Sequence, residues 1–314
     1  MKSAITLLGL LLSLTVQADT IRLDGGVFKP ATNIQITWAA TNSFPHSLLV
    51  YKVLTESFSM LAVSNAMSLG QFEMKNLSKG EHPIIKDKNL IYFYGTNEYG
   101  RRKTLYIAPT FGAMEYESEM DFKKIVENVP TSDEAISLGR NVLRKLGIDS
   151  SMLSDKVKIG YDDTSTKIDR EGNKLGGTHV IRRGVAFSRS IGGIATSDSR
   201  CFLIHFGSNG RIEDFSLTWR NFVPHESYSV LTINQIIDSI KAGKAVIPEQ
   251  FSDADSFNTA TNLTIVKATP RYYNGTKGSK VPFVYPYLEL EVLTVDNNTA
   301  FLHCQILSTN AVAK

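Results

Sequence analysis

The stretch Cys201-Phe-Leu-Ile-His-Phe-Gly-Ser-Asn-Gly-Arg-Ile-Glu-Asp-Phe-Ser-Leu-Thr-Trp219 decides the fold class. Two β-rich runs, Cys201 to Phe206 and Ile212 to Trp219, flank Ser208-Asn-Gly210. Asn-Gly accepts the left-handed backbone of a tight turn, so the pair reads as an antiparallel hairpin. Upstream, Val157 to Tyr161 and Val180 to Ser188 read as strands, with a turn expected at Asp169-Arg-Glu-Gly-Asn173. Farther out lie Ser47 to Val53, Leu90 to Tyr94, Thr104 to Ile107 and Ala113 to Tyr116, the last preceded by a turn at Pro109-Thr-Phe-Gly112. The tail adds Asn262 to Ala268, Val284 to Val295 and Ala300 to Leu307. Within it Leu288-Glu-Leu-Glu-Val292 alternates apolar and charged residues, the pattern of a strand with one wet face.

Three helices interrupt these runs. The first follows Ser57, with Phe58, Leu61, Met67 and Leu69 on its apolar positions, and stops at Gly70. The second opens with Thr131-Ser-Asp-Glu134, whose hydroxyl and carboxylate satisfy the free N–H groups of a helix start, and closes at Gly147. Thr232-Ile-Asn-Gln235 repeats that box before Ile236, Ile237 and Ile240, and Gly243 ends the third. Strands outnumber helices and mostly follow other strands, which makes the class α+β, with antiparallel β-meanders each packed with one or two helices. A helix followed by a meander occurs over residues 57–117 and again from 131 onward. This suggests two related modules, 19–128 and 129–314, divided near Asn128-Val-Pro130.

The chain of 314 residues, 42% hydrophobic and 21% charged, has the composition of a folded globular protein. Its formal charge is +3, and +2 without Lys2, too small to argue for nucleic acid. Residues 1–18 have the form of a signal peptide: Lys2, an apolar run from Ala4 to Val16, and Val16-Gln17-Ala18 at the spacing a signal peptidase reads. Cleavage is expected before Asp19, giving an exported chain, periplasmic or extracellular, with no membrane span after the leader. In an oxidising compartment Cys201 and Cys304 are a possible disulfide, and two buried free thiols are the other reading.

Motifs that carry chemistry are sparse. Gly-x-Ser-x-Gly, Ser-x-x-Lys, His-Glu-x-x-His and glycine-rich phosphate loops are all absent, so no catalytic residue, metal ligand or cofactor is assigned. His205 and His303 would meet near Cys201 and Cys304 only if their strands were neighbours. Asp162-Asp163 with Asp169-Arg-Glu-Gly-Asn173 lacks the glycine position and closing Glu of a calcium loop, and reads as a solvated hairpin. Arg101-Arg-Lys103 and Arg182-Arg183 read as surface charge. Arg189, Trp219 and Arg220 join an aromatic to two guanidinium groups, the composition of an interface hot spot, and form the expected interaction patch.

Val50-Tyr-Lys-Val53, the helix from Thr131-Ser-Asp-Glu-Ala135 to Leu146-Gly-Ile148, Val185-Ala-Phe-Ser-Arg189 with Ile191-Gly-Gly-Ile194, Gly210-Arg-Ile212 and Trp219-Arg220 together resemble secreted PepSY-like proteins and envelope regulatory proteins of the Yyc type. The resemblance spans most of residues 47–293 and implies an exported, non-enzymatic protein that binds or restrains a peptidase or a sensor protein. It brings no catalytic residue and no cofactor. The membrane anchor of Yyc-type regulators is not seen here, which puts a role against a membrane sensor in doubt. The expected function is binding to a protein partner of the cell envelope or secretome. The alternative is a secreted hydrolase of an envelope polymer, with a site assembled from residues distant in sequence.

Overall fold

The computed structural model describes residues 23, 25–55, 58–78, 80, 87–120, 126–166, 176–197, 200–248, 260–275, 281–294 and 298–308. The leader, Ser57 and the Asp169–Asn173 turn lie outside them. The elements in chain order are β1 (Gly26–Val27), β2 (Gln35–Trp38), β3 (Ser47–Val53), α1 (Met60–Leu69), β4 (Leu77–Ser78), β5 (Ile91–Thr96), β6 (Arg102–Ala108), β7 (Ala113–Ser118) and α2 (Ser132–Lys145). There follow β8 (Leu153–Ile159), β9 (Asp163–Ser165), β10 (His179–Ile191), β11 (Ile194–Ala195), β12 (Phe202–Phe206), β13 (Ile212–Thr218) and β14 (Phe222–Ser229). Then come α3 (Ile233–Lys241), β15 (Val246–Ile247), β16 (Asn262–Tyr273), β17 (Phe283–Thr294) and β18 (Thr299–Gln305). The fold is a mixed α+β arrangement in which strand predominates and the sheets are antiparallel, apart from the parallel pairing of β2 with β16.

The helix ends follow the side-chain chemistry of their caps. Thr131 Oγ1 accepts from the Glu134 N–H at 3.4 Å while Glu134 Oε2 accepts from the Thr131 N–H at 2.8 Å. That backbone hydrogen bond, with the Thr131 hydroxyl, holds the Glu134 carboxyl below its usual range. Thr232 and Gln235 make the same reciprocal box at α3, and Gly147 and Gly243 leave α2 and α3 at φ +75° and +70°. Ser59, two residues beyond the expected start, caps α1 by accepting from the Ala62 N–H at 3.2 Å.

Among the described residues the strands make one sheet of ten and one of eight. The central order in the larger is β10-β12-β13-β7-β6-β5. The hairpin β12–β13 turns through Asn209 and Gly210 at φ 54° and 71°, as Asn-Gly requires. It pairs Phe202 with Leu217 and Ile204 with Phe215. These side chains face inward with Phe187, Leu105 and Met114, and α1 and α2 cover them through Val63, Ala66, Val142 and Leu143. The smaller sheet packs α3 by Ile236 and Ile240 against Leu263, Leu288, Leu290, Leu302 and Cys304.

The expected division into 19–128 and 129–314 does not describe this arrangement. Strand β7 pairs with β13 from Ala113↔Thr218 to Glu117↔Asp214, so the two helix-plus-meander segments merge edge to edge into one sheet over one core. The N-terminal strands go elsewhere: β2 pairs with β16, and β3 pairs with β14 and β17. Hydrophobic pattern alone specifies that a strand has a buried face, and it leaves open which partner covers its edge.

Lys103 is a second correction. It is 7% exposed, and its ammonium donates to the carbonyls of Gly70 and Gln71 at 2.9 and 2.8 Å, closing the C-terminus of α1. The disulfide is a third. Cys201 and Cys304 are free, each 1% exposed, and belong to different cores, one in the larger sheet and one in the smaller. For the same reason Cys201 with His205 and Cys304 with His303 form no common cluster. Burial pushes the Cys304 thiol up to about 12. Among the described residues no helix is long and apolar enough to cross a membrane.

Peptide mapping checks the thiol assignment. Alkylation without reductant is expected to spare both cysteines in the native chain and to modify both in denaturant; a Cys201–Cys304 linked peptide would contradict the separate cores.

Candidate functional site

Arg189, Trp219 and Arg220 are brought together, but in the interior: they are 1%, 4% and 2% exposed. The Arg189 guanidinium carbon lies 3.9 Å from the centre of the Trp219 ring and 4.1 Å from that of Phe222, so the cation is stacked on two aromatic faces. Its Nη1 donates to the Arg220 carbonyl at 2.6 Å, and Arg220 Nε donates to the Phe111 carbonyl at 3.2 Å. The Arg189 carbonyl accepts from the Thr196 N–H at 3.0 Å, and the next residue, Ser197, donates its N–H to the Tyr272 carbonyl of β16 at 2.7 Å. Tyr51 of β3 sets its ring edgewise against Phe222 and Tyr272, at 5.2 and 5.5 Å between centres. The expected patch is therefore the joint between the two sheets, with its three side chains buried. The residue types are those of a hot spot; burial decides against that use.

The outward face of the larger sheet carries a different constellation, assembled from positions the sequence kept apart. His205 of β12 and Asp214 of β13 are directly opposite, and His205 Nδ1 lies 2.6 Å from Asp214 Oδ1. Arg182 of β10 pairs with the other oxygen of Asp214 and donates from Nε to Asp163 Oδ2 of β9 at 2.6 Å. Asp162 accepts from the Gly184 N–H at 3.3 Å and lies 3.6 Å from Arg183 Nη2. Residues read as a solvated turn, a surface basic pair and a strand histidine thus form one half-buried chain, Asp163–Arg182–Asp214–His205.

The carboxylate gives this chain its chemistry. In the neutral ring it fixes the hydrogen on His205 Nδ1 and leaves Nε2 as an acceptor. Nε2 has no hydrogen-bond partner among the described residues, while Arg182 holds the carboxylate in place. An oriented imidazole of this kind accepts a hydrogen bond from an N–H or O–H group, or donates one when protonated. No serine hydroxyl contacts it among the described residues. The register extends the face across the sheet. Glu117 stands opposite Asp214, and Glu115 stands opposite Ser216, which donates to it at 3.3 Å. Tyr106 continues that row, with Tyr92 stacked on it at 4.6 Å between ring centres.

Gly184 makes room for the chain. A Cβ there would sit 2.5 Å from the Tyr161 Cβ and carbonyl oxygen and 2.7 Å from His205 Cδ2. The glycine is required by close approach, so that Tyr161 covers β10 and His205 keeps its place beside it. Sequence reasoning did not single out Asp214, Glu115 or Glu117. The available signal was alternation, since Asp214 and Ser216 fall between the inward Glu213, Phe215 and Leu217.

No family model matches the chain, and no curated protein matches it. Among solved structures it is similar to an uncharacterized protein from Eubacterium rectale ATCC 33656, with 12% identity over 86% of this chain and 85% of that chain and a TM-score of 0.46.

Two substitutions separate the joint from the outward face. Arg189→Ala opens a cavity between two rings and is expected to cost about 3 kcal/mol in urea unfolding, and Arg189→Met, which keeps most of the volume, about half of that. Gly184→Ala is expected to cost about 1–3 kcal/mol by overpacking, with displaced His205 ring resonances in NMR spectra. Unchanged stability in Arg189→Ala would show that the joint is not needed.

Proposed function

We propose that the chain is an exported binding protein that holds a protein partner on the outward face of its ten-stranded sheet. The observation that supports this is the chain of side chains from Asp163 through Arg182 and Asp214 to His205, drawn from four strands. Each group is held by its neighbour, so little side-chain entropy is lost on binding, and the scaffold beneath is rigid. The adjoining rows add Glu115, Glu117 and the stacked Tyr92 and Tyr106, which combine acidic charge with aromatic contact. A partner presenting lysine or arginine beside apolar groups is complementary to this face. The resemblance to secreted PepSY-like proteins points toward the same class of function.

The hydrolase reading uses the same dyad, with His205 Nε2 as a general base. Catalysis would require an attacking group within hydrogen-bonding reach of that nitrogen. His205 and Asp214 supply only the base and its orienting group.

Capture from envelope and medium of the source organism tests the proposal, with the native chain, a denatured bait and two surface variants. His205→Ala and Glu115→Gln/Glu117→Gln are each expected to lower enrichment of a saturable partner about tenfold while leaving the melting temperature within a few degrees. Binding should weaken as salt rises. Equal enrichment by all folded baits would move the binding surface off this face.

A further inference from the structure

A cleft of about 320 Å³ lies between the C-terminal half of α2 and strand β8, on the inward side of the sheet and away from the face described above. That volume is at the small end of the range for small-molecule sites, about 300–1,000 Å³. Leu143, Leu153 and Phe187 supply apolar lining. Arg140 and Arg144 come from α2, and a spacing of four residues places them one above the other on one side of the helix. Asp155 enters from β8. Among the described residues neither guanidinium makes a hydrogen bond or an ion pair, although Asp155 lines the same cleft.

We infer that this cleft binds a small monocarboxylate with an apolar tail. Two arginine forks one turn apart match the planar oxygens of a carboxylate, which they bind through paired N–H donors. The tail packs on Leu153, the half-buried member of that lining, supplying the favourable burial that a bare ion lacks. The carbonyls of the last turn of α2 and the Asp155 carboxylate oppose negative charge, which selects a single charge over a dianion. The carboxylate has two possible sources, a free short-chain acid or the C-terminus of a peptide that ends in an apolar residue. This inference does not rest on the partner-binding reading, because the two surfaces are on opposite sides of the sheet.

Titration calorimetry of the purified chain with sodium octanoate tests it. Saturable one-to-one binding is expected, at least about tenfold tighter than octanamide or inorganic phosphate. Arg140→Ala and Arg144→Ala, both at exposed positions, are each expected to weaken octanoate about tenfold at an unchanged melting temperature, with Arg144→Lys between them and the native chain. An N-acetylated tripeptide ending in leucine distinguishes the sources: affinity matching octanoate assigns the site to chain ends, and much weaker affinity assigns it to free acids. No saturable binding of octanoate up to about 5 mM, equal affinity for octanamide or phosphate, or unchanged affinity in both alanine variants would each overturn the inference.

Discussion

The stacking of the Arg189 guanidinium between Trp219 and Phe222 is the interaction on which the relation of the two sheets depends. Arg189 belongs to β10 of the larger sheet, and Phe222 begins β14, which pairs with β3 in the smaller one. The chain passes from β13 to β14 in only three residues, Trp219, Arg220 and Asn221, so the crossing and the stacked cation occupy the same place. Taking an isolated guanidinium out of water costs several kcal/mol. Two ring faces and the Arg220 carbonyl offset that cost, and the Phe222 face is in place only when β14 has joined the smaller sheet. Tyr272 of β16 adds a second tie: its carbonyl accepts from the Ser197 N–H, just after β11 of the larger sheet, at 2.7 Å, while its hydroxyl, with its phenol pushed by burial well above the usual range, donates to the Leu49 carbonyl within the smaller sheet at 2.9 Å.

From this joint the larger sheet presents two faces of opposite character. Inward positions of β12 and β13 carry Phe202, Ile204, Phe215 and Leu217, and outward positions carry His205, Asp214 and Ser216. Because side chains alternate strictly, a register that buries the first set necessarily assembles the second. The Asp163–Arg182–Asp214–His205 chain is thus fixed by the same pairing that builds the core. The smaller sheet shows a related arrangement, with Glu289 held by Arg271 at 2.8 Å and directly opposite His303. There burial favours the neutral acid, but the neighbouring His303 and Arg271 outweigh it and hold the Glu289 carboxyl below its usual range.

Local structure was legible in the sequence wherever one residue type has one physical use. Thr131 with Glu134, Thr232 with Gln235, and Asn209-Gly210 each marked an element end that the structure places there. Pairing partners were not legible, because the pattern of β2 or β3 gives no sign that it joins strands more than 150 residues away. Strand β14 was missed because Pro224, His225, Glu226 and Ser227 are exposed and break the alternation, as an edge strand allows. The site was legible only in fragments. Asp162-Asp163, Arg182-Arg183 and His205 are each ordinary surface residues in isolation, and their meeting in one cluster depends on a register that no local pattern encodes. Arg189, Trp219 and Arg220 were recognised as a group, but composition does not distinguish a buried stack from an exposed one.

The proposed contact surface is the set of outward rows from Tyr92 to His205. Covalent footprinting of tyrosine rings and carboxylates, with and without the captured partner, tests it most directly. Protection of Tyr92, Tyr106, Glu115 and Glu117 is expected in the complex, with labelling on the smaller sheet unchanged. Undiminished labelling of all four residues in a saturated complex would contradict it.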